Sequence, residues 1–452
     1  MLHQSQKKLA RYAVLTAGWC VAAFAHSQAM GEPQMSERVT EEKVQRPSAS
    51  AQPVTKANWL APANIRWAMR NARLVVPTAG VRHSNRASQL AQGNVLRLES
   101  LTLKSPQGGP ETWAQYLEDN RVDGMLILHK GRVVFEHYYG GLQKYDAHGW
   151  ASMSKSVIGL LAAQFIEEGR LDATAPLERY VPDLSGTPFG SATVQQNLDM
   201  QVALAYTPEL PPDIGLFAAA GLMPVRTGMP GSINEFLLKA THPVEAPHGS
   251  AFYYQNGATE AIAWALRNLS GRTLSQLVAE RIWQPMGAED DAYYSVDARG
   301  VEFASGGLAS TLRDVARFGE LVRNQGQRDG QQIVSKAALI RILQVPSAGN
   351  QERLSRAGRA QTGYGNFWWY PTTVDGALYA AGRFGQRLFI DPANELTIAQ
   401  FSSYPDTRAR TTSGDQTMAV RENELRSDSS MVLVALAQAV AARLREGHAN
   451  DK

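Results

Sequence analysis

Ser152 and Lys155 stand three residues apart at the head of a helix-patterned run, Ala151 to Gly169 (ASMSKSVIGLLAAQFIEEG). Val157, Ile158, Leu161, Phe165 and Ile166 recur in it at helical spacing, and Gly169 after Glu167-Glu168 is a stop signal. The pattern constrains the fold, because it places Ser152 at a helix N-terminus, where free backbone N–H groups and the helix dipole favour developing negative charge. Side chains three apart share one face of a helical turn. A serine hydroxyl is a weak nucleophile at neutral pH and needs a neighbouring base, a role the Lys155 amine is placed to fill. The plain alternative makes Ser152 a helix cap and Lys155 a solvated first-turn charge. Ser5-Gln6-Lys7-Lys8 shows the same four-residue pattern in a basic leader, without the helical context.

About a hundred residues later comes Tyr254-Gln255-Asn256, preceded by Phe252-Tyr253 and followed by the helix-patterned GATEAIAWALRNLSG ending at Gly271. A Tyr and an Asn on a short loop before a helix can both point into a cleft. Tyr364-Gly365-Asn366 has the same spacing, but it lies in YGNFWWY, an aromatic run that reads as a strand packed on a core. Tyr254 and Asn256 are therefore the candidate pair. The bland reading of Tyr254 is a buried phenol with a satisfied hydroxyl.

With these residues in place, the chain resembles the serine hydrolases that group class C β-lactamases, D-alanyl-D-alanine carboxypeptidases and related esterases. Within that group it is most similar to the 6-aminohexanoate-dimer hydrolase branch. The segments that carry the likeness are Asn58 to Pro62 with Arg66-Trp67, the hairpin from Gly124 to Gly141 and the Ser152 helix. Thr193 to Tyr206, Gly306-Gly307-Leu308 and Gly382 to Pro392 complete them, in order across residues 58 to 443. The resemblance implies an acyl-enzyme on Ser152, with Lys155 and Tyr254 handling protons. It also implies an oxyanion hole made by the Ser152 N–H and a strand residue near Gly385 or Gln386, with Asn256 orienting Lys155 or binding the substrate amide. Where class C enzymes carry Lys-Thr-Gly, and many relatives His-x-Gly, this chain has Gly382-Arg383-Phe384-Gly385-Gln386. Arg383 takes the cationic position, with a planar fork suited to a carboxylate; its bulk and that of Phe384 put β-lactam recognition in question. The plain alternative leaves Arg383 as a surface charge. An amine and a phenol both ordinarily titrate near 10, so bringing either one's titration down toward neutrality costs about 1.4 kcal/mol for each pH unit. Which of Lys155 and Tyr254 is the base stays open.

Export is expected from the N-terminus, where Lys7, Lys8 and Arg11 precede an apolar stretch, Tyr12 to Ala25, that is short for a bilayer span. Residues 1–29 read as a signal peptide, with small-residue cleavage sites at Ala23-Phe24-Ala25 or Ser27-Gln28-Ala29. Residues 30–55 read as a disordered linker, 56–446 as the folded domain and 447–452 as a tail. Cys20 is the only cysteine and lies in the leader, so the mature chain has no disulfide, thiolate metal site or cysteine nucleophile. A periplasmic location follows, with no stable membrane insertion after cleavage.

The fold class expected is α/β, of the β-lactamase/transpeptidase kind: an antiparallel sheet flanked by helices, with a mostly helical lobe inserted over about 170–320. Met125 to Tyr139 reads as a hairpin, Ser310 to Asp314 as a helix start, RLFI and LTIAQF as paired strands around Asp391 to Asn394, and Met431 to Leu444 as a last helix. A net charge of +3 is too small and scattered for a nucleic-acid surface. Nine histidines show no HExxH, so neither metal nor cofactor is expected, and no Gly-x-Ser-x-Gly elbow occurs. The function expected is hydrolysis of a small linear amide or carboxylic ester. The alternatives are a β-lactamase or D-alanyl-D-alanine carboxypeptidase, and a non-catalytic receptor for cell-wall peptides. Nothing in the residues addresses oligomeric state.

Overall fold

The strand and helix patterns meet around one antiparallel sheet in the computed structural model, which describes residues 53–104, 109–344, 362–405 and 433–445. Helix α1 (Ile65–Asn71) and strand β1 (Thr78–Val81) lead into the hairpin β2 (Val122–His129) and β3 (Arg132–Tyr138). Its two-residue turn is Lys130-Gly131, both at positive φ (54° and 72°), the geometry whose twist matches the strands. The short strand β4 (His148–Gly149) precedes a 3₁₀ turn, Ala151–Ser154, and helix α2 (Lys155–Glu167). Helix α3 (Asn256–Ser270), strands β5 (Ala292–Ser295) and β6 (Leu308–Ser310), and helices α4 (Leu312–Arg323) and α5 (Lys336–Leu343) follow. The remaining strands are β7 (Thr362–Gly365), β8 (Trp368–Pro371), β9 (Leu378–Gly382), β10 (Gln386–Asp391) and β11 (Leu396–Ser402).

The main sheet has seven strands in the order β7-β8-β9-β10-β11-β2-β3, every neighbouring pair antiparallel. Strands β10 and β11 are buried along their whole length, so apolar residues fall on both faces, as in Leu388-Phe389-Ile390, rather than in strict alternation. Helix α4 packs across β2, β10 and β11. Gly319 permits the approach: a Cβ there would stand 2.6 Å from Thr397 Cγ2 and 2.7 Å from Leu388 Cδ1. Because α4 belongs with the sheet, the inserted lobe returns to it before residue 320. The lobe also contains β5 and β6, which join β1 and β4 in a four-stranded sheet of order β1-β5-β6-β4.

Helix α2 is buried on all sides from Lys155 to Phe165, the mark of a central helix. It lies against α3 and α5, and the β7–β8 turn rests on it, Ser156 Oγ donating to the Phe367 carbonyl (2.9 Å). The run YGNFWWY is thus a hairpin rather than one strand, with Asn366 and Phe367 at positive φ (51° and 63°) forming the turn. Residues 433–445 are helical, and Leu436 and Val440 enter the main core. The expected signal peptide, most of the linker and the 447–452 tail lie outside the described residues.

Candidate active site

Three backbone devices set Ser152 in place. Ala151 adopts a left-handed conformation (φ 47°), uncommon for a residue with a Cβ, and turns the chain sharply out of β4. Trp150 N–H donates to the Leu308 carbonyl (2.8 Å), and its indole N–H to Ser310 Oγ (2.8 Å). Ser154 Oγ donates to the Ala151 carbonyl (2.7 Å) and accepts from Leu308 N–H (3.3 Å). Ser152 therefore sits in a 3₁₀ turn pinned to β6, one step before the α-helix rather than inside its first turn. Behind it, His148 and Asp123, both fully buried, stand 3.2 Å apart, and Arg66 pairs with Asp123.

Lys155 is only 1% exposed. Its Nζ donates to Ser152 Oγ (2.9 Å) and to the Ser305 carbonyl (2.8 Å). The capping-and-surface-charge reading of this pair fails, because a solvated first-turn lysine would not be buried between two such acceptors. Lys155 Nζ also lies 5.1 Å from the centre of the Tyr254 ring. Tyr254 is held by stacking on Trp369 (5.8 Å, 20°) and by an edge contact with Tyr364 (6.0 Å, 78°). Its hydroxyl makes no hydrogen bond to Ser152 or Lys155 among the described residues. Tyr364, the competing candidate, is buried behind Tyr254 against Trp369. The structure thus brings Ser152, Lys155 and Tyr254 together and leaves Tyr364 as a supporting wall.

A cleft of about 760 Å³, counted with its open mouth, runs from Ser152 and is also lined by Asn256, Ser305, Arg383 and Phe384. Asn256 is the first residue of α3 rather than part of the loop before it. No hydrogen bond joins it to Lys155 among the described residues, so its cleft position favours the substrate-facing role of the two expected. Arg383 lines the cleft from the turn between β9 and β10, not from within a strand. That turn is tight: Phe384 and Gly385 have φ of 69° and 94°. Gly385 and Gln386 do not line the cleft. Gln386 is fully buried, its amide donating to the carbonyls of Ser402 (2.7 Å) and Arg383 (3.3 Å). At the end of β9, Gly382 packs against the segment before Ser152, and any side chain there would overlap the Trp150 carbonyl oxygen. Of the five residues Gly382 to Gln386, Arg383 and Phe384 are the two that line the cleft.

Several residues at the site lie outside the patterns singled out in the sequence. Ser305 supplies a backbone carbonyl, which no side-chain pattern announces. Glu260, 1% exposed, accepts from the N–H groups of Ala304 (3.1 Å) and Ser305 (2.8 Å), fixing that carbonyl. Burial pushes its carboxyl above the ordinary range, against the lowering pull of those hydrogen bonds and of Arg267. An acid four residues after Asn256, on the apolar face of a helix, was the available signal. Arg387, also buried, donates to the carbonyls of Gly382 (3.2 Å) and Gln386 (2.8 Å) and so braces the Arg383 turn. Among the described residues no group of three or more His, Cys, Asp and Glu side chains is arranged to hold a metal ion, and no helix is long and apolar enough to cross a membrane.

Residues 111–420 match the family model described as Beta-lactamase. The chain belongs to that family. Over 372 residues it is 30% identical to the 6-aminohexanoate-dimer hydrolase of Paenarthrobacter ureafaciens, spanning 80% of this chain and 92% of that one. A solved Bacillus anthracis protein assigned as a 6-aminohexanoate-dimer hydrolase has a TM-score of 0.72 at 32% identity, covering 84% of this chain and 99% of its own. A solved hydrolase with promiscuous acyltransferase activity, 17% identical, shares the fold with a TM-score of 0.51 over 65% of this chain and 91% of its own. The α/β fold expected from the sequence, an antiparallel sheet with flanking helices, is the fold of this β-lactamase family.

Proposed function

We propose that this Beta-lactamase-family protein is a serine hydrolase that cleaves small linear amides or carboxylic esters through an acyl-enzyme on Ser152. The observation that carries the reading is the Lys155 amine, buried and 2.9 Å from the Oγ of Ser152, which lines the cleft. In the first step Ser152 Oγ bonds to the substrate carbonyl carbon while its proton passes to Lys155. The carbonyl oxygen becomes an oxyanion, held by the Ser152 N–H and by the backbone at Arg383. Losing one such donor typically costs about 100- to 1000-fold in rate. The carbon–nitrogen or carbon–oxygen bond then breaks, and Tyr254, beside the amine, delivers a proton to the departing amine or alkoxide and is reprotonated by Lys155, which returns the amine to its neutral form. Water repeats the sequence on the acyl-enzyme and releases the acid. Arg383, lining the same cleft, attracts negative charge on the substrate. Residues 1–29 direct the chain to a periplasm in this reading, and its partner is the small-molecule substrate.

The test is hydrolysis of a panel of p-nitrophenyl esters, nitrocefin and the linear aminohexanoate dimer by wild type and Ser152→Ala. The substitution is expected to abolish turnover and labelling by a fluorophosphonate while leaving the melting curve unchanged. Undiminished hydrolysis by Ser152→Ala ends the proposal, and turnover of nitrocefin alone reassigns the substrate to β-lactams.

A further inference from the structure

The cleft has a chemical character that the Ser-Lys pair does not dictate. Beyond Ser152 its walls are Trp59, Leu60, Met69, Val76, Phe217 and Leu222. They come from two distant segments clamped together: the Trp59 indole N–H donates to the Leu222 carbonyl (2.8 Å), and Phe217 packs edge-on against Phe303 (5.7 Å, 80°). At the near end Phe384 packs on Ile65 and Met69. The polar lining consists of hydroxyls, the Asn256 amide and the Arg383 guanidinium; among the described residues it contains no Asp or Glu. A second cation, Arg73, lies 4.0 Å from the centre of the cleft-lining Tyr293 ring. An ammonium drawn into this space would lose its water and find cations rather than a carboxylate, which is costly.

The direction of the cleft decides which half of the substrate enters it. Tyr254, which protonates the leaving group on the proposed mechanism, is not among the lining residues. Neither are Trp369, Tyr364 and Phe252, the aromatic group that holds it. On the proposed mechanism the leaving group meets its proton donor on the Tyr254 side, which leaves the apolar cleft to the acyl half on Ser152.

We propose that the cleft holds an apolar acyl chain of medium length that carries no cation, and that it rejects the ω-ammonium acyl chain of an aminohexanoyl substrate. This inference rests on the reading of Ser152 as the acylated residue. The acyl transfer is the one already balanced above: Ser152 Oγ gains the acyl group, the leaving group gains the proton, and water later replaces Ser152.

The experiment measures kcat/KM of the full chain on p-nitrophenyl acetate, butyrate, hexanoate, heptanoate and octanoate, and on the p-nitrophenyl ester of 6-aminohexanoic acid, close in length to the heptanoate. Each methylene buried is expected to raise kcat/KM about fourfold up to hexanoate. The amino ester is expected to fall on the order of 100-fold below heptanoate. Ala72→Phe, which fills the cleft from its half-buried wall, should lower the octanoate-to-acetate ratio at least tenfold. Leu60→Glu, which supplies the missing counter-charge, should raise the amino-ester-to-heptanoate ratio. Fluorophosphonate labelling of the same preparation separates the two levels of the argument. Labelled protein with a flat chain-length series, or with equal rates on amino ester and heptanoate, overturns the acyl-chain inference alone. Protein that is neither labelled nor active overturns the Ser152 reading beneath it.

Discussion

Glu260→Gln tests whether the Lys155 amine is positioned through the backbone. The wild-type carboxylate is buried in α3 and accepts two N–H bonds, from Ala304 at 3.1 Å and Ser305 at 2.8 Å, while the Ser305 carbonyl accepts from Lys155 at 2.8 Å. Glutamine keeps the shape but offers one accepting oxygen, so one of the two N–H groups faces an NH₂ donor. A buried donor left unpaired costs about 1–3 kcal/mol, which at this chain length is a drop of a few degrees in Tm. The freed peptide lets the Ser305 carbonyl rotate, and Lys155 loses its second anchor. The expectation is a kcat reduced about tenfold to a hundredfold with KM within about threefold, the signature of an interaction used in the transition state rather than in binding. Titration gives a second readout. Burial raises the Glu260 carboxyl above its ordinary value, with hydrogen bonds from Ser305 and Ala304 and the charge of Arg267 opposing it. Tyr294 and Glu302 also face this site. A group whose folded value is raised contributes stability at low pH and loses it as pH rises through that folded value. Glutamine does not titrate there, so the stability difference, wild type minus Glu260→Gln, should shrink as pH rises from the ordinary carboxyl range through the raised folded value. Urea melts across that range and steady-state ester hydrolysis read both effects. A folded Glu260→Gln with kcat within twofold of wild type refutes the positioning argument.

Three further outcomes are expected. Tyr254→Phe should lose about 100-fold or more in kcat, the usual worth of a general acid–base group, whereas Tyr364→Phe should stay within about threefold; the reverse ranking on the same ester would transfer the role to Tyr364. Gly307→Ala puts a Cβ 2.6 Å from Ser295 Oγ and 2.7 Å from the Phe303 carbonyl oxygen. Ordinary C···O contact is about 3.3 Å, so the loop must shift by roughly 0.6 Å. The expected costs are about 1–3 kcal/mol of stability and at least about tenfold in kcat. Gly80→Ala, with nothing within 4 Å of the new Cβ, is the control, and equal behaviour of the two in melts and kinetics would refute the crowding argument.

The parts of the site that are legible in the sequence are those where side-chain type and spacing carry the chemistry. Ser152 and Lys155 announce themselves because a nucleophile and an amine three apart before an apolar run have few other uses. Tyr254 is preferred over Tyr364 because one precedes a helix and the other lies in an aromatic hairpin. Arg383 lines the cleft from a turn rather than from the expected strand for a physical reason. Phe384 adopts a φ of 69° although it is not glycine, and sequence assigns such a conformation to glycine first. Reading through it as extended chain carries Gly385 and Gln386 to the cleft, whose lining takes Arg383 and Phe384 instead. The helical lobe boundary is blurred likewise, since α4 has an amphipathic pattern whether it covers a lobe or a sheet. Ser305 is invisible because its contribution is a carbonyl, and its position depends on an acid 45 residues earlier.

That carbonyl matters more to the proposed mechanism than its anonymity in the sequence implies. Lys155 Nζ has two hydrogen-bond partners, Ser152 Oγ and the Ser305 oxygen. A carbonyl only accepts, so it fixes one N–H of the amine in either protonation state. A hydroxyl both donates and accepts. When the amine is neutral, its lone pair has one donor available among these two partners, the Ser152 O–H. The carbonyl thus acts as a stop that turns the lone pair toward the proton to be removed. The third direction from the nitrogen faces the Tyr254 ring, 5.1 Å to its centre, a cation-compatible surface once the proton has arrived. On this reasoning the amine is aimed by the backbone and stabilised by the aromatic ring. Glu260→Gln and Tyr254→Leu should therefore combine less than additively in kcat, because each removes part of one arrangement. A double variant whose losses simply multiply would mean that the two groups act independently, and the aiming argument would fall.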